Sequence, residues 1–224
     1  MPDRELRVGV VDSGFALRQA SSVVGSAAFV MGGEVVRRGE VVPDALGHGS
    51  ALIDVIATLA PEARFVVAQV FGTRLACTAA QVAAAIDWLV TEGVDVINLS
   101  LGLAHHRAVL AEACARAACA GVILCASSPA RGAPVYPAAY PGVLRMTGDA
   151  RCGRNEISHL ATTQADYGAH VRGLDGAMVA GASVGCAHLC GHVVRHLAAG
   201  GDRRIDAVRA WLSAQARYHG PERR

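Results

Sequence analysis

Short runs of Val, Ile and Leu alternate along this chain with Ala-rich stretches of helical period, and that alternation constrains its fold more than any other feature. Residues 6–11, 65–70, 94–99 and 122–126 read as strands, with helices expected over 51–59, 76–90 and 108–120. Strands alternating with helices in this way predict an α/β architecture: a mostly parallel central sheet with helices on both faces. Right-handed crossovers then gather the carboxyl ends of several strands at one edge. Asp12, residues 99–102 and residues 126–128 would meet there.

The second half is less regular. Residues 127–177 are loop-rich, punctuated by Pro129, Pro134, Pro137 and Pro141, and contain one short strand candidate at 143–147. This stretch reads as the rim of a pocket rather than a linker. An apolar helical pattern returns over 183–199, and a final helix over 205–216 turns Trp211 and Leu212 inward. Residues 1–224 are therefore expected to form one domain, with a flexible tail at about 217–224. Because 52% of the residues are hydrophobic but only 4% aromatic, the core must be built from Ala, Val, Leu and Ile.

With 21 basic and 19 acidic residues the net charge is +2, which gives no electrostatic case for nucleic acid or membrane binding. No apolar run reaches the 18 residues of a membrane span, and Met1 to Leu6 lead into a strand-like run instead of a secretory signal. The expectation is a cytoplasmic protein. Seven cysteines (Cys77, Cys114, Cys119, Cys125, Cys152, Cys186 and Cys190) fit neither a disulfide framework nor a paired metal knuckle, so reduced and mostly buried thiols are expected. Cys186 and Cys190, like His188 and His192, would share a helix face, but beside glycines in an apolar helix packing is the better reading. Neither metal nor cofactor is expected.

Three short motifs carry the chemistry. Val11-Asp12-Ser13-Gly14 closes the first strand, Gly47-His48-Gly49-Ser50 precedes the first long helix, and Ser183 in Gly181-Ala-Ser-Val-Gly185 opens the apolar helix. A serine hydroxyl must lose its proton as it attacks, an imidazole poised near neutrality can take it, and a carboxylate can orient and stabilise the resulting imidazolium. At a helix start, the serine's own amide and the local dipole point toward a developing oxyanion. Taken singly, Asp-Ser-Gly or Gly-His-Gly is a turn or a cap. Together the three supply nucleophile, base and acid.

Their order along the chain resembles that of the subtilisin-like serine peptidases, and the chain is identified as a short, intracellular-type member of that family. The resemblance implies that Asp12, His48 and Ser183 are catalytic. It implies further that Ser100, Leu101 and Gly102, in Val94-Asp-Val-Ile-Asn-Leu-Ser-Leu-Gly102, hold an extended peptide by strand addition, with Ala126 and Ser127 beside the pocket. Tyr136 and Tyr140 would shape the pocket side, and Pro137 resembles a family proline that often follows a cis bond. His105 and His106 fall at the cleft rim, where they would favour acidic substrate residues.

Departures cluster at the oxyanion site. Where the family has an Ala-Ala-Gly-Asn-like run this chain reads Cys125-Ala-Ser-Ser-Pro129, placing Ser128 on the asparagine position as the expected second oxyanion donor. A hydroxyl reaches less far than a carboxamide, and losing such a donor costs about 3 kcal/mol, roughly a hundredfold in rate. Ser50 and Ala187 replace a common threonine and proline without removing a reacting group. The expected function is limited cleavage of a specific peptide or protein through an acyl-enzyme, with a pathway partner protein in view. The alternative is a catalytically weak peptide-binding or scaffolding protein of a peptide-maturation pathway.

Overall fold

The computed structural model describes residues 5–174 and 179–222. The chain opens with β1 (Arg7–Asp12), a 3-10 turn at Leu17–Gln19, β2 (Val23–Gly32) and β3 (Val35–Gly39). There follow α1 (His48–Leu59), β4 (Arg64–Gln69), α2 (Ala79–Thr91), β5 (Val96–Leu99), α3 (Ala108–Cys119) and β6 (Ile123–Ser127). The remainder comprises β7 (Val143–Gly148), β8 (Ile157–His159), β9 (Tyr167–Ala169), α4 (Ala182–Ala198), α5 (Ile205–Gln215) and β10 (Tyr218–His219).

These strands form one sheet in the order β10-β8-β9-β7-β6-β5-β1-β4-β2-β3, parallel throughout except for β2 with β3 and β8 with β9. Successive side chains of a strand face opposite ways, so Val8 and Val10 enter one core layer with α1, α4 and α5, while Val11 enters the other with α2 and α3. The three-layer α/β architecture expected from the alternation is therefore present. Each fully buried Val, Leu or Ile contributes about 1.5–3 kcal/mol. Leu52, Ile56, Leu89, Leu110 and Leu144 are among those with no exposure at all.

β1 lies between β4 and β5: the chain first leaves β1 toward β2 on the β4 side, then returns through β4 and crosses to β5 on the other side. Such a reversal leaves a crevice at the strands' carboxyl ends, where Asp12 closes β1 and Ser100 follows β5. Two glycines let helices reach that crevice. A methyl on Gly49 would meet the Gly14 carbonyl oxygen at 2.4 Å, and one on Gly185 would meet the Thr147 carbonyl oxygen at 2.2 Å.

Several elements differ from expectation. The β2–β3 hairpin was not anticipated, because Gly25, Ser26, Ala27 and Ala28 give β2 no dense β-branched run and its pairing is to a distant strand. The loop-rich stretch also contains β8 and β9, each three residues long. Helix α1 starts at His48 rather than residue 51, since the glycines flanking His48 read as breakers. In the stretch expected to be a tail, Tyr218 and His219 pair with Ser158 and His159, and the Arg151 guanidinium lies over the Tyr218 ring at 5.2 Å.

Candidate active site

The carboxylate that ends β1 meets the imidazole that begins α1. Asp12 Oδ1 lies 2.7 Å from His48 Nδ1, with Asp12 fully buried and the His48 side chain 14% exposed. The same carboxylate oxygen accepts from the Ser13 amide at 2.8 Å and the Ser13 hydroxyl at 3.1 Å. Ser13 Oγ in turn accepts from the Gly49 amide at 2.9 Å, tying the end of β1 to the first turn of α1. Bonded through Nδ1, the imidazole has Nε2 as the nitrogen left for a reacting hydroxyl.

Asp44, not singled out from the sequence, builds the other side of this corner. Its Oδ1 accepts from the Leu46 and Gly47 amides, and its Oδ2 accepts from the Ser50 amide at 2.9 Å and the Ser50 hydroxyl at 2.6 Å. An aspartate just ahead of a helix is the signal that could have found it, because the first amides of a helix have no intrahelical partner. Burial pulls the His48 pKa down, but the hydrogen bond and charge of Asp12, with the charge of Asp44, outweigh it and hold the pKa above the ordinary 6.5. Burial works to raise the Asp44 pKa, and hydrogen bonds from Ser50, Ser13 and Gly47 overcome it, leaving that carboxyl below its ordinary range.

Ser183 is the second residue of α4, after an N-cap glycine at φ 91°. Its hydroxyl donates to the Ser100 carbonyl at 3.2 Å, and the Ser100 hydroxyl donates to the Ser183 carbonyl at 3.1 Å. Asn98 Nδ2 reaches Ser100 Oγ at 2.9 Å, and the Cys186 thiol reaches Asn98 Oδ1 at 3.4 Å. This network fastens the nucleophile candidate to the end of β5. Asn98 and Gln69 were both missed. Gln69 Nε2 donates to the Ser13 and Val42 carbonyls at 2.7 and 3.0 Å, and a polar residue closing an apolar strand is the visible sign of such a role.

His48, Ser100, Leu101, Gly102, Ser127 and Ser183 line one cleft of about 300 Å³, with Phe71, Leu75, Ala76, Cys77 and Leu103 completing it. Two expected site residues lie elsewhere. Ala126 is fully buried within β6, opposite Leu99, because the inward-facing positions of a central strand belong to the core. Ser128 is buried, donates its hydroxyl to the Gln164 carbonyl at 2.6 Å and is not among the residues lining the cleft. The Tyr136–Pro137 bond is cis, and Tyr136 exchanges backbone hydrogen bonds with Leu103 at 2.7 and 2.9 Å. A larger cavity of about 450 Å³ beside Thr147, Asp149 and Leu160 contains none of Asp12, His48 and Ser183. The Asp12–His48 contact, not cavity size, singles out the smaller cleft as the candidate site.

Among the described residues Cys77 supplies the one thiol lining the cleft. Burial, reinforced by the charge of Asp12, pushes its pKa up to about 12, so it stays protonated and offers no thiolate. Cys125, Cys152, Cys186 and Cys190 are buried free thiols, as is Cys114. Among the described residues no group of three or more His, Cys, Asp and Glu is arranged to hold a metal ion, and no helix is long and apolar enough to cross a membrane.

A family model described as the subtilase family matches residues 3–171, which include Asp12 and His48. Among curated proteins the chain is 27% identical over 172 residues to the minor extracellular protease Epr of Bacillus subtilis, covering 71% of this chain and 25% of that protein. It is 28% identical over 181 residues to subtilisin Savinase of Lederbergia lenta (76% and 62%) and 30% identical over 151 residues to a thermostable alkaline protease of Halalkalibacterium halodurans (62% and 40%). The chain thus spans less than two thirds of the length of these relatives. Among solved structures it superposes on an S41 psychrophilic protease with a TM-score of 0.71 at 18% identity, covering 96% of this chain and 85% of that one. A lanthipeptide protease gives a TM-score of 0.56 at 21% identity, covering 64% and 48%.

These relatives overturn the cytoplasmic, intracellular-type expectation. They are an extracellular protease, a subtilisin and an alkaline protease, and none of the three is an intracellular form by name. The lack of an apolar run of membrane-spanning length is equally compatible with either side of a membrane and does not carry that inference.

Proposed function

The chain belongs to the subtilase family, and from that premise we propose that it is a serine endopeptidase acting through Asp12, His48 and Ser183. The supporting observation is the 2.7 Å Asp12–His48 contact at a cleft that Ser183 also lines from the start of a helix. In this reading the Ser183 hydroxyl turns from the Ser100 carbonyl to His48 Nε2, which takes its proton as the oxygen attacks a substrate carbonyl. Asp12 stabilises the imidazolium. The amide of Ser183, an orphan donor of the first turn of α4, receives the oxyanion. Collapse of the tetrahedral intermediate expels the amine with the proton from His48, and the same base then activates water to release the acyl group.

An extended peptide lies along Ser100, Leu101 and Gly102, so backbone pairing sets the binding mode and side-chain pockets set the preference. Selectivity for a limited set of cleavages has to come from the cleft. A second reading, a subtilase fold that binds peptides with weak turnover, draws on the Ser128 hydroxyl being engaged with Gln164 and the Ser183 hydroxyl with Ser100. Hydrolysis of a mixed peptide pool, followed by mass spectrometry, separates the two. The endopeptidase reading expects new peptide termini that vanish in Ser183→Ala and His48→Ala; intact peptides with a well-folded protein would overturn it.

A further inference from the structure

The cleft continues beyond Cys77 and Leu103 into a second hollow of about 310 Å³, lined by those two residues with Thr78, Ala79, His105 and Arg107 among others. The two adjacent histidines part company here. His106 packs against the Tyr136 and Tyr140 rings, with centroids 5.9 and 5.6 Å away, whereas His105 faces the hollow. Arg107 is exposed, its backbone fixed by the Tyr140 hydroxyl at 3.1 Å from its amide and 3.0 Å from its carbonyl. One guanidinium nitrogen donates to the His106 carbonyl at 3.0 Å, and among the described residues Arg107 has no ion-pair partner. Four of its five N–H donors are thus left for a ligand.

The surrounding charge is one-sided. Among the described residues, neither the cleft nor the hollow has an Asp or Glu in its lining. The hollow's lining does carry the exposed Arg107. A half-enclosed groove lined by one sign of charge concentrates the opposite sign, and a guanidinium fork matches a carboxylate in geometry as well as charge. From this we infer that the substrates are acidic peptides, with an aspartate or glutamate side chain, set back from the scissile bond on the Leu103 side, seated between Arg107 and His105. The inference rests on the peptide-binding cleft proposed above.

An aspartate scan of a fluorogenic peptide tests it, each peptide compared with its Asn and Lys counterparts. One position should show kcat/KM about tenfold higher for Asp than for Asn at low salt, shrinking to about two- to threefold at 0.5 M salt. Arg107→Gln should bring that ratio near one, Arg107→Lys should keep part of it, and Arg107→Glu should turn the preference toward lysine. A merely structural Arg107 would leave the ratio unmoved. Binding of the same peptides to Ser183→Ala, followed by fluorescence anisotropy, gives the readout without turnover. Acid-selective binding by a protein that cuts nothing would uphold this inference while the endopeptidase reading fails. Equal treatment of Asp, Asn and Lys peptides, or a preference that survives Arg107→Glu, would overturn it.

Discussion

Gly185→Ala separates the placement of the nucleophile from its chemistry. A methyl at that position would lie 2.2 Å from the Thr147 carbonyl oxygen and 2.6 Å from the Gly148 nitrogen, where ordinary contact begins at 3.4 Å. Both are backbone atoms of β7, which is paired on both sides by β6 and β9 and cannot swing away. Relieving the closer clash requires α4 and β7 to part by about 1.2 Å (3.4 − 2.2). Overpacking of this kind costs about 1–3 kcal/mol. Alanine's better helix propensity returns about 1 kcal/mol, so the net loss of stability is roughly 0–2 kcal/mol.

Ser183 stands two residues upstream on the same helix and moves with it. Displacing a reacting group by about 1 Å costs roughly a hundredfold in rate, equivalent to about 2.7 kcal/mol of transition-state stabilisation. Activity should therefore fall about a hundredfold, whereas Tm falls by no more than about 8 °C. Thermal unfolding and kcat/KM on a chromogenic peptide measure the two effects on one preparation. Gly191→Ala, whose methyl would meet the Leu59 side chain at 2.9 Å, serves as the control on the same helix and should lower Tm with far less loss of activity. Wild-type kinetics in Gly185→Ala, or equal inactivation by Gly191→Ala, would refute the reasoning.

Because His48 must be neutral to accept a proton and its pKa is raised above 6.5, kcat/KM should climb with pH through a midpoint above 6.5 and then level off. Asp44→Asn removes a negative charge that favours the imidazolium, so the midpoint should move to lower pH; a pH–rate profile with an unmoved midpoint would contradict the assignment of that shift. Ser128→Ala should change kcat/KM by less than about threefold and lower stability by about 1 kcal/mol, because the lost hydroxyl bonds Gln164 rather than substrate. A hundredfold fall in kcat/KM would instead make Ser128 an oxyanion donor.

The sequence disclosed the parts of the fold that repeat a pattern. β1 and β4 to β7 are dense apolar runs, and α1 to α5 have helical period, so each appears within a few residues of its expected place. β2, β3 and β8 to β10 are short, glycine-bearing or at the sheet's edges; β2, β9 and β10 are strands because of distant partners in β4, β7 and β8, and β3 only by its hairpin with β2. The site divides the same way. Asp12, His48 and Ser183 stand in motifs whose residue types have a chemical reason to co-occur, and His48 and Ser183 do line one cleft. Ser128 followed from alignment to a family pattern, but the conformation after β6 sends its hydroxyl to Gln164, a contact no local spacing encodes. Asp44 and Gln69 leave a sign in the sequence, a polar residue ahead of a helix or closing an apolar strand, but the partners that give them and Asn98 their roles, Ser50, the Ser13 carbonyl and Ser100, are fixed only in the fold.

Covalent labelling with a fluorophosphonate probe, mapped by peptide mass spectrometry on the full chain, tests the central claim most directly. A single modified residue, Ser183, with labelling abolished by Ser183→Ala and strongly reduced by His48→Ala, is the result expected of an assembled Asp12–His48–Ser183 site. Well-folded protein that takes up no probe, or takes it up at another residue, would contradict it.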